Sequence, residues 1–319
     1  MKNKKLLIVI DANSVIHRAF HALPPLIDKK GNQTGAIYGF ILVLFRAIKD
    51  FRPDFVAVCF DVHAPTFRHK KFKEYKAKRP PAPHELYSQI PRIKEVLGAL
   101  KIPFFEKEGF EADDIIGTIA RLAPRKQAVP PLETIILSGD RDVLQLVNDK
   151  TKAFVLSKGI KNAILYDAKK VQEKYDIGPA QLLEFKALRG DPSDNIPGVT
   201  GIGEKTAVKL LKQFKDVNQL YQELEANSEK AKKLTPKLRE LLLQYKEQAF
   251  LSRVLAEINQ DVSINFNLKK CQWDKYDSKE VLSLFKKLGF NSLAKRFPEL
   301  NSQKKETKHN SVRKNLSLW

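Results

Sequence analysis

Short apolar runs punctuate the first half of the chain. Residues 6–10 and 55–60 are continuously apolar, and 102–105 and 134–137 repeat the pattern more briefly. Runs this short, without alternation, predict strands buried on both faces of a parallel sheet. Between the first two lies 35–51, where Ile37, Phe40, Ile41, Leu44, Phe45 and Ile48 fall at helical spacing and predict a crossover helix. Residues 112–122 predict another. From Gly178 onward the pattern is mainly helical, with helices expected over 181–189, 204–214, 279–288 and, as one long amphipathic element, 237–258. Residues 301–314 are polar and basic with no apolar period, the pattern of a flexible tail. The division expected is an α/β domain over 1–177, a helical subdomain over 178–298 and a tail over 299–319.

Polar residues mark where the strands stop. The first run ends at Asp11, the second at Asp61, and 134–137 runs into Ser138-Gly139-Asp140-Arg141-Asp142. The run at 102–105 leads to Gly109-Phe-Glu111-Ala-Asp113-Asp114-Ile-Ile-Gly117, at the entrance to the 112–122 helix. Taken singly, each Asp is a turn or a helix cap, and the 111–114 cluster is an acidic helix N-terminus favoured by the helix dipole. In an open parallel sheet, however, ligand-binding groups collect beyond the carboxyl ends of the strands. Asp11, Asp61, Glu111, Asp113, Asp114, Asp140 and Asp142 would then share one edge, and that many anions need a counter-charge. With no His or Cys ligand nearby, magnesium or manganese suits the site better than zinc. Two such ions can activate a water and stabilise a leaving oxygen in phosphodiester hydrolysis. On an ideal helix Glu111 and Asp114 share a face and Asp113 points away, so direct coordination by some and indirect support by others is expected.

Charge narrows the substrate. The 319 residues carry 57 Lys and Arg against 37 Asp and Glu, a formal net charge of +20 that attracts polyanions. Cys59 and Cys271 are too few for a disulfide framework or a zinc site. Asp11 cuts the N-terminal apolar run too short for a signal peptide, and no segment approaches a membrane span, so a cytoplasmic protein without membrane contact is expected. Residues 67–79 interleave Arg68, Lys70, Lys71, Lys73, Lys76, Lys78 and Arg79 with Phe67, Phe72 and Tyr75. A solvated basic helix would read the same way, but cations alternating with aromatics beside the acidic edge suit a nucleic-acid single strand. Asp191 and Asp194 either reach back to the metal edge or form turns. The segment Gly198-Val-Thr-Gly201-Ile-Gly203-Glu204-Lys205-Thr206 fails as a phosphate-binding P-loop, since Glu204 occupies the Lys position and no buried strand precedes it. It reads better as a glycine hairpin opening a helix whose amides, with Lys205, Lys209 and Lys212, can grip a duplex backbone; a plain helix-to-helix turn is the alternative. The terminal Asn315-Leu316-Ser317-Leu318-Trp319 is either an incidental apolar end or a docking peptide.

Together these motifs resemble the structure-specific 5' nuclease (flap endonuclease) family, and within it the 5'-to-3' exonuclease domain of bacterial DNA polymerase I. The likeness runs from about residue 6 to 297 and rests on Arg18-Ala-Phe-His-Ala-Leu-Pro-Pro25, Phe60-Asp61 with Phe67-Arg68-His69, and Tyr75-Lys76-Ala-Lys-Arg79-Pro80. It rests also on the 109–117 cluster, Gly139-Asp140-Arg-Asp142, and Gly190-Asp191 through Gly203-Glu-Lys205-Thr206. The resemblance implies a PIN-like 5' nuclease fold, with a mostly parallel central sheet flanked by helices, a helical arch over 67–98 and a helix-hairpin-helix-type DNA-binding subdomain. It implies metal-site carboxylates at Asp11, Asp61, Glu111, Asp113, Asp114, Asp140, Asp142, Asp191 and Asp194. Lys76 and Arg79 would act on the scissile phosphate and Tyr75 would stack on a base. Arg68, Lys70, Lys71, Gly201, Gly203, Lys205, Thr206 and Lys209 would contact DNA. Ala12 and His17 depart from the family's usual Gly and Tyr. The last five residues are similar to the peptide by which bacterial replication proteins bind the sliding clamp, through Leu316, Leu318 and Trp319, although Asn315 and Trp319 depart from its consensus. The expected protein is a monomeric, magnesium-dependent 5'-3' exonuclease or flap endonuclease of replication and repair, acting on DNA with a 5' end or 5' flap, RNA-primed ends included. It would be either a freestanding paralogue or a domain severed from a polymerase. The rival readings are a DNA-binding protein with a dead site, a ribonuclease of the related fold, and a phosphotransfer hydrolase using Asp11. The last is weakened by Asn13, which stands where a second Asp is required.

Overall fold

In the computed structural model, which describes residues 4–123, 131–157 and 159–302, the buried runs form a six-stranded sheet in the order β3-β2-β1-β4-β5-β6. The strands are β1 (Lys5–Asp11), β2 (Phe55–Cys59), β3 (Phe104–Phe105), β4 (Leu132–Ser138), β5 (Thr151–Leu156) and β6 (Ala163–Tyr166). All neighbours pair parallel except β6, which runs antiparallel to β5. β1 lies at the centre, with Leu7 opposite Phe55 on one side and Thr134 on the other. Its alternate residues feed two cores: Leu7 and Val9 pack on one face, Ile8 and Ile10 on the other. Burial on both faces is why the run shows no alternation.

The helices are α1 (Ala12–Ala22), α2 (Gly35–Phe51), α3 (Phe67–Lys71), α4 (His84–Tyr87), α5 (Ile90–Ala99), α6 (Ala112–Leu122), α7 (Ala168–Tyr175), α8 (Leu182–Arg189), α9 (Glu204–Phe214), α10 (Val217–Glu225), α11 (Glu229–Lys232), α12 (Pro236–Gln244), α13 (Lys246–Ala256), α14 (Ser278–Lys287) and α15 (Asn291–Ser302). Helix α6 and the α8 to α13 group share the Leu7/Val9 core, while α1, α2, α5, α14 and α15 cover the opposite face. No helix among the described residues is long and apolar enough to cross a membrane.

Several expectations change. The 237–258 helix breaks at Tyr245, whose φ of −103° and ψ of 21° end α12 and start α13 at a new angle. The third strand shrinks to Phe104–Phe105. Only the first turn and a half of the 67–79 stretch is helical. The second half of the expected arch is core, because Ile93, Val96 and Leu97 of α5 are buried against the sheet layer. Helices α14 and α15, grouped by sequence with the helical half, pack instead on the α2 face: Phe285 and Phe297 meet Phe45 at ring-centroid distances of 5.9 and 5.8 Å. The flexible tail expected over 299–319 falls, from residue 303, outside the described residues.

Candidate active site

The strand order fixes where the carboxylates meet. From β1 the chain builds outward through β2 and β3, then returns to the other side of β1 with β4, so the connection reverses direction between β1 and β4. Such a switch point opens a crevice at the carboxyl ends of the strands. Asp11 ends β1 there and Asp140 follows β4, and a cleft of about 1110 Å³ opens above them. Asp11, Asp61, Glu111, Asp113, Asp140, Asp142 and Asp194 all line it.

Short polar links set the floor. Asp11 caps α1 by accepting from the Ser14 amide at 3.1 Å, and its other oxygen accepts from the Ser138 hydroxyl at 2.6 Å. Asp61 accepts from the Ala112 amide at 2.7 Å, which ties β2 to the start of α6, while its own amide donates to Asn13 Oδ1 at 3.1 Å. Asp140 accepts from the Asp142 amide at 3.0 Å, in a turn that aims both side chains into the cleft. Burial, with Asp61 nearby, pushes the Asp11 carboxyl up to about 6. Burial, then Asp11, Asp140, Asp142 and Asp61, pushes Asp113 well above the ordinary range. Burial and mutual repulsion are the condition a hard divalent cation relieves, although Asp11, Asp61, Asp113 and Asp140 do not bring three ligand oxygens within 4.8 Å of one another.

The 111–114 cluster divides in the opposite sense to the helical projection. Asp113 faces the cleft, whereas Asp114 is fully buried behind it and grips Arg68 in a two-pronged pair at 2.8 and 2.7 Å. Asp114 also accepts from the amides of Glu111 at 3.0 Å and Asn259 at 2.8 Å. Both of its oxygens are therefore engaged by protein donors. The projection failed because Glu111 is the N-cap, with extended φ and ψ of −93° and 160°, and so does not lie on the helix from which the angle was counted. Glu111 itself accepts from Lys76 Nζ at 2.8 Å and Tyr75 OH at 3.2 Å. Against burial, Lys76 and Arg68 hold its carboxyl below the usual value.

Arg68 and Tyr75 also depart from expectation. Arg68 is 2% exposed, and its guanidinium also donates to the carbonyls of Leu255 at 2.9 Å and Glu257 at 2.6 Å. Tyr75 is 3% exposed, with its hydroxyl shared between Glu111 and Asp194. Neither side chain presents a face to a phosphate or a base in this arrangement: the first is a clip, the second a packed wedge. Lys70 and Lys71 are exposed. Lys76 sits at a φ of 56°, in the left-handed region, held there by its amide donating to the Asp194 carbonyl at 2.9 Å. Arg79 reaches the Asp194 carboxylate and the Ser193 carbonyl.

A second group forms where α8 ends. Gly190 turns the chain at a φ of 78°, and a Cβ there would lie 2.6 Å from the Ile196 carbonyl oxygen, so only glycine fits. The pinched loop that follows, closed by paired bonds between Asp191 and Ile196, swings Asp191 and Asp194 back toward the cleft. Carboxylate oxygens of Asp142, Asp191 and Asp194 come within 4.8 Å of one another, close enough to share a metal ion. Lys186 of α8 lies between two of them. Its ammonium bonds Asp191 at 2.7 Å and contacts Asp142. Burial opposes it, but Lys186 draws Asp191 down to about 2; Asp142, where burial dominates, stays up at about 6. Lys186 escaped the sequence reading, and Ser138 and Asn13 had no part in the expected site. A lysine inside an amphipathic helix and a serine after a strand carry no signal until the fold brings them to the acids.

The glycine hairpin stands apart from the cleft. Val199 and Ile202 anchor it in the core, and Gln248 and Ser252 of α13 bond the Gly198 carbonyl and amide at 2.5 and 2.9 Å. Gly201, Gly203, Lys205 and Lys209 are left exposed and Thr206 half-buried at the start of α9, whose first amides point outward. Lys212 pairs with Asp176. Leu316, Leu318 and Trp319 lie outside the described residues.

Residues 6–176 match the family model described as 5'-3' exonuclease, N-terminal resolvase-like domain, and residues 177–279 match 5'-3' exonuclease, C-terminal SAM fold. The chain is 43% identical over 299 residues to DNA polymerase I of Bacillus subtilis, covering 94% of this chain and 33% of that one. It is 41% identical over 304 residues to DNA polymerase I of Bacillus caldotenax, covering 95% and 33%. The chain thus spans about one third of the length of these relatives. Among solved structures it is similar to the T5 D15 protein co-crystallised with metal ions, at a TM-score of 0.65 and 19% identity over 93% of this chain and 99% of that one. It is also similar to the catalytic core of Rad2 in complex with DNA substrate, at 0.59 and 16% over 93% and 92%. At these identities the structural likeness is one of fold.

Proposed function

We infer the function from a premise that the two family models establish: the chain belongs to the 5'-3' exonuclease family. We propose that it hydrolyses DNA phosphodiesters at a 5' end or 5' flap, RNA-primed ends included, near the junction of single strand and duplex, and leaves a 5' phosphate. The observation that supports this most directly is the gathering of carboxylates from five separate segments into one cleft. His17, His21, His63 and His69 also line the cleft, contrary to the expectation of no nearby histidine, but the three acids close enough to share an ion offer hard oxygen only, which fits magnesium, with manganese as a substitute. Asp11, Asp61, Asp113 and Asp140 would hold one ion, with Glu111 at the rim; Asp142, Asp191 and Asp194 would hold another. Bound there, the ions supply an activated water and charge stabilisation at the leaving oxygen.

The chain's own residues do the rest. Lys76 and Arg79 are already aimed at Glu111 and Asp194. A phosphate entering among those acids meets both cations, which then stabilise charge developing on it. Lys70 and Lys71 draw in the single strand, and the amides and lysines at the start of α9 hold the duplex. The Arg68 clip anchors α3, which leads into the 72–83 segment. We place the protein in the cytoplasm as a monomer, with residues 315–319 tethering it to the sliding clamp.

Replacing Asp140 with Asn removes a carboxylate facing the cleft without disturbing Arg68 or the hairpin. Cleavage of a 5' flap in magnesium should fall by at least about 100-fold, while affinity for the same flap measured in calcium is retained. Full cleavage by this variant would remove Asp140 from the site.

A further inference from the structure

Lys186 is a cation that the proposed chemistry does not use. It projects from α8, five residues before Asp191, with its side chain only 17% exposed. Its ammonium lies against Asp142 and, at 2.7 Å, against Asp191, two of the three acids whose oxygens crowd within 4.8 Å. The third, Asp194, is neutralised from the opposite side by Arg79 and, at 3.9 Å, by Lys76. Asp142 and Asp191 therefore have a built-in counter-ion that bridges their oxygens.

We propose that Lys186 is the resident cation of the Asp142–Asp191–Asp194 group: it holds the acids together in the metal-free protein and must be displaced when a divalent ion enters. The inference rests on the two-ion reading above and adds a positioning residue to it. A unit charge a few ångströms from the ion opposes binding, so this group fills at a higher ion concentration than the Asp11–Asp61–Asp113–Asp140 group, where among the described residues Lys76 and Arg68 form ion pairs with Glu111 at the rim but not with Asp11, Asp61 or Asp113. The lysine makes the second ion conditional while keeping the metal-free acids from repelling one another.

Two measurements on the intact chain test this. Manganese binding is counted by electron paramagnetic resonance, and thermal stability is followed in chelator, for wild type, Lys186→Gln and Lys186→Arg. Lys186→Gln should tighten the weaker manganese site by about five- to tenfold and lower the metal-free Tm, with manganese restoring it; Lys186→Arg should stay close to wild type. Should Lys186→Gln fail to fold, the wild type still decides: the Lys186 side-chain Cε resonance, assigned by its loss in Lys186→Arg, should shift only in the second phase of a magnesium titration. Unchanged or weaker manganese affinity in Lys186→Gln, or a Cε signal that ignores magnesium, overturns the proposal. A wild type that binds no manganese at all would instead overturn the metal reading on which it stands.

Discussion

Asp11 shows what the site costs the fold. Its carboxyl is nearly buried and, through burial and the nearby Asp61, held up at about 6 against an ordinary 3.8. The metal-free fold therefore keeps a proton that the unfolded chain releases between about pH 4 and 6. The stability linked to Asp11 is full below its unfolded value and is lost as pH rises through its folded one. At about pH 7.5 in chelator, Asp11→Asn is expected to be more stable than wild type by about 1–3 kcal/mol. The gap should close toward pH 4, and saturating magnesium should reverse the order; thermal melts at the two pH values check it. Asp11, Asp61 and Asp140 were legible as cleft residues because each follows a buried run, and the sheet rule says which way they point. Asp114 was not, because its partner Arg68 lies 46 residues away and nothing in the spacing marks the pair.

Among the elements, α3 is the one that links parts otherwise distant. Through Arg68 it joins α6 at Asp114 to the end of α13 at Leu255 and Glu257. Removing the guanidinium leaves Asp114, with no exposed surface, as an unpaired buried charge. Arg68→Met is expected to destabilise the protein by about 3–5 kcal/mol. Adding Asp114→Asn should recover much of that loss, since both charges are then gone. Denaturant melts of the two singles and the double close the cycle, and additive losses would deny the coupling. At this scale the sheet and the helix at 112–122 were readable from periodicity. The break at Tyr245 was not: the apolar period carries on through it, and only packing decides that α12 and α13 diverge.

For the whole molecule, the long return of α14 and α15 matters most. Trp273 donates its amide to the Asp54 carbonyl at 2.9 Å, and Phe285, Leu293 and Phe297 complete the core beneath α2. Two truncations separate structure from tethering. A chain ending at 272 exposes Phe45 and its neighbours and is expected to lose its cooperative melt, whereas deleting 315–319 should leave Tm unchanged and weaken binding to purified clamp. Intact clamp affinity in the second variant would remove the tether. This closure was illegible because amphipathic helices declare an apolar face without saying which core it will join.

The switch point between β1 and β4 has a consequence in time. A chain folding as it emerges has Asp11, Asp61 and Asp113 available early, but Asp140 waits for β4, and Asp191 and Asp194 wait for the loop after α8. Contacts that span so much sequence form late. An unfinished copy already carries its basic stretches yet lacks the acids of the later segments, so the completed cleft is one of the last features of the folding chain.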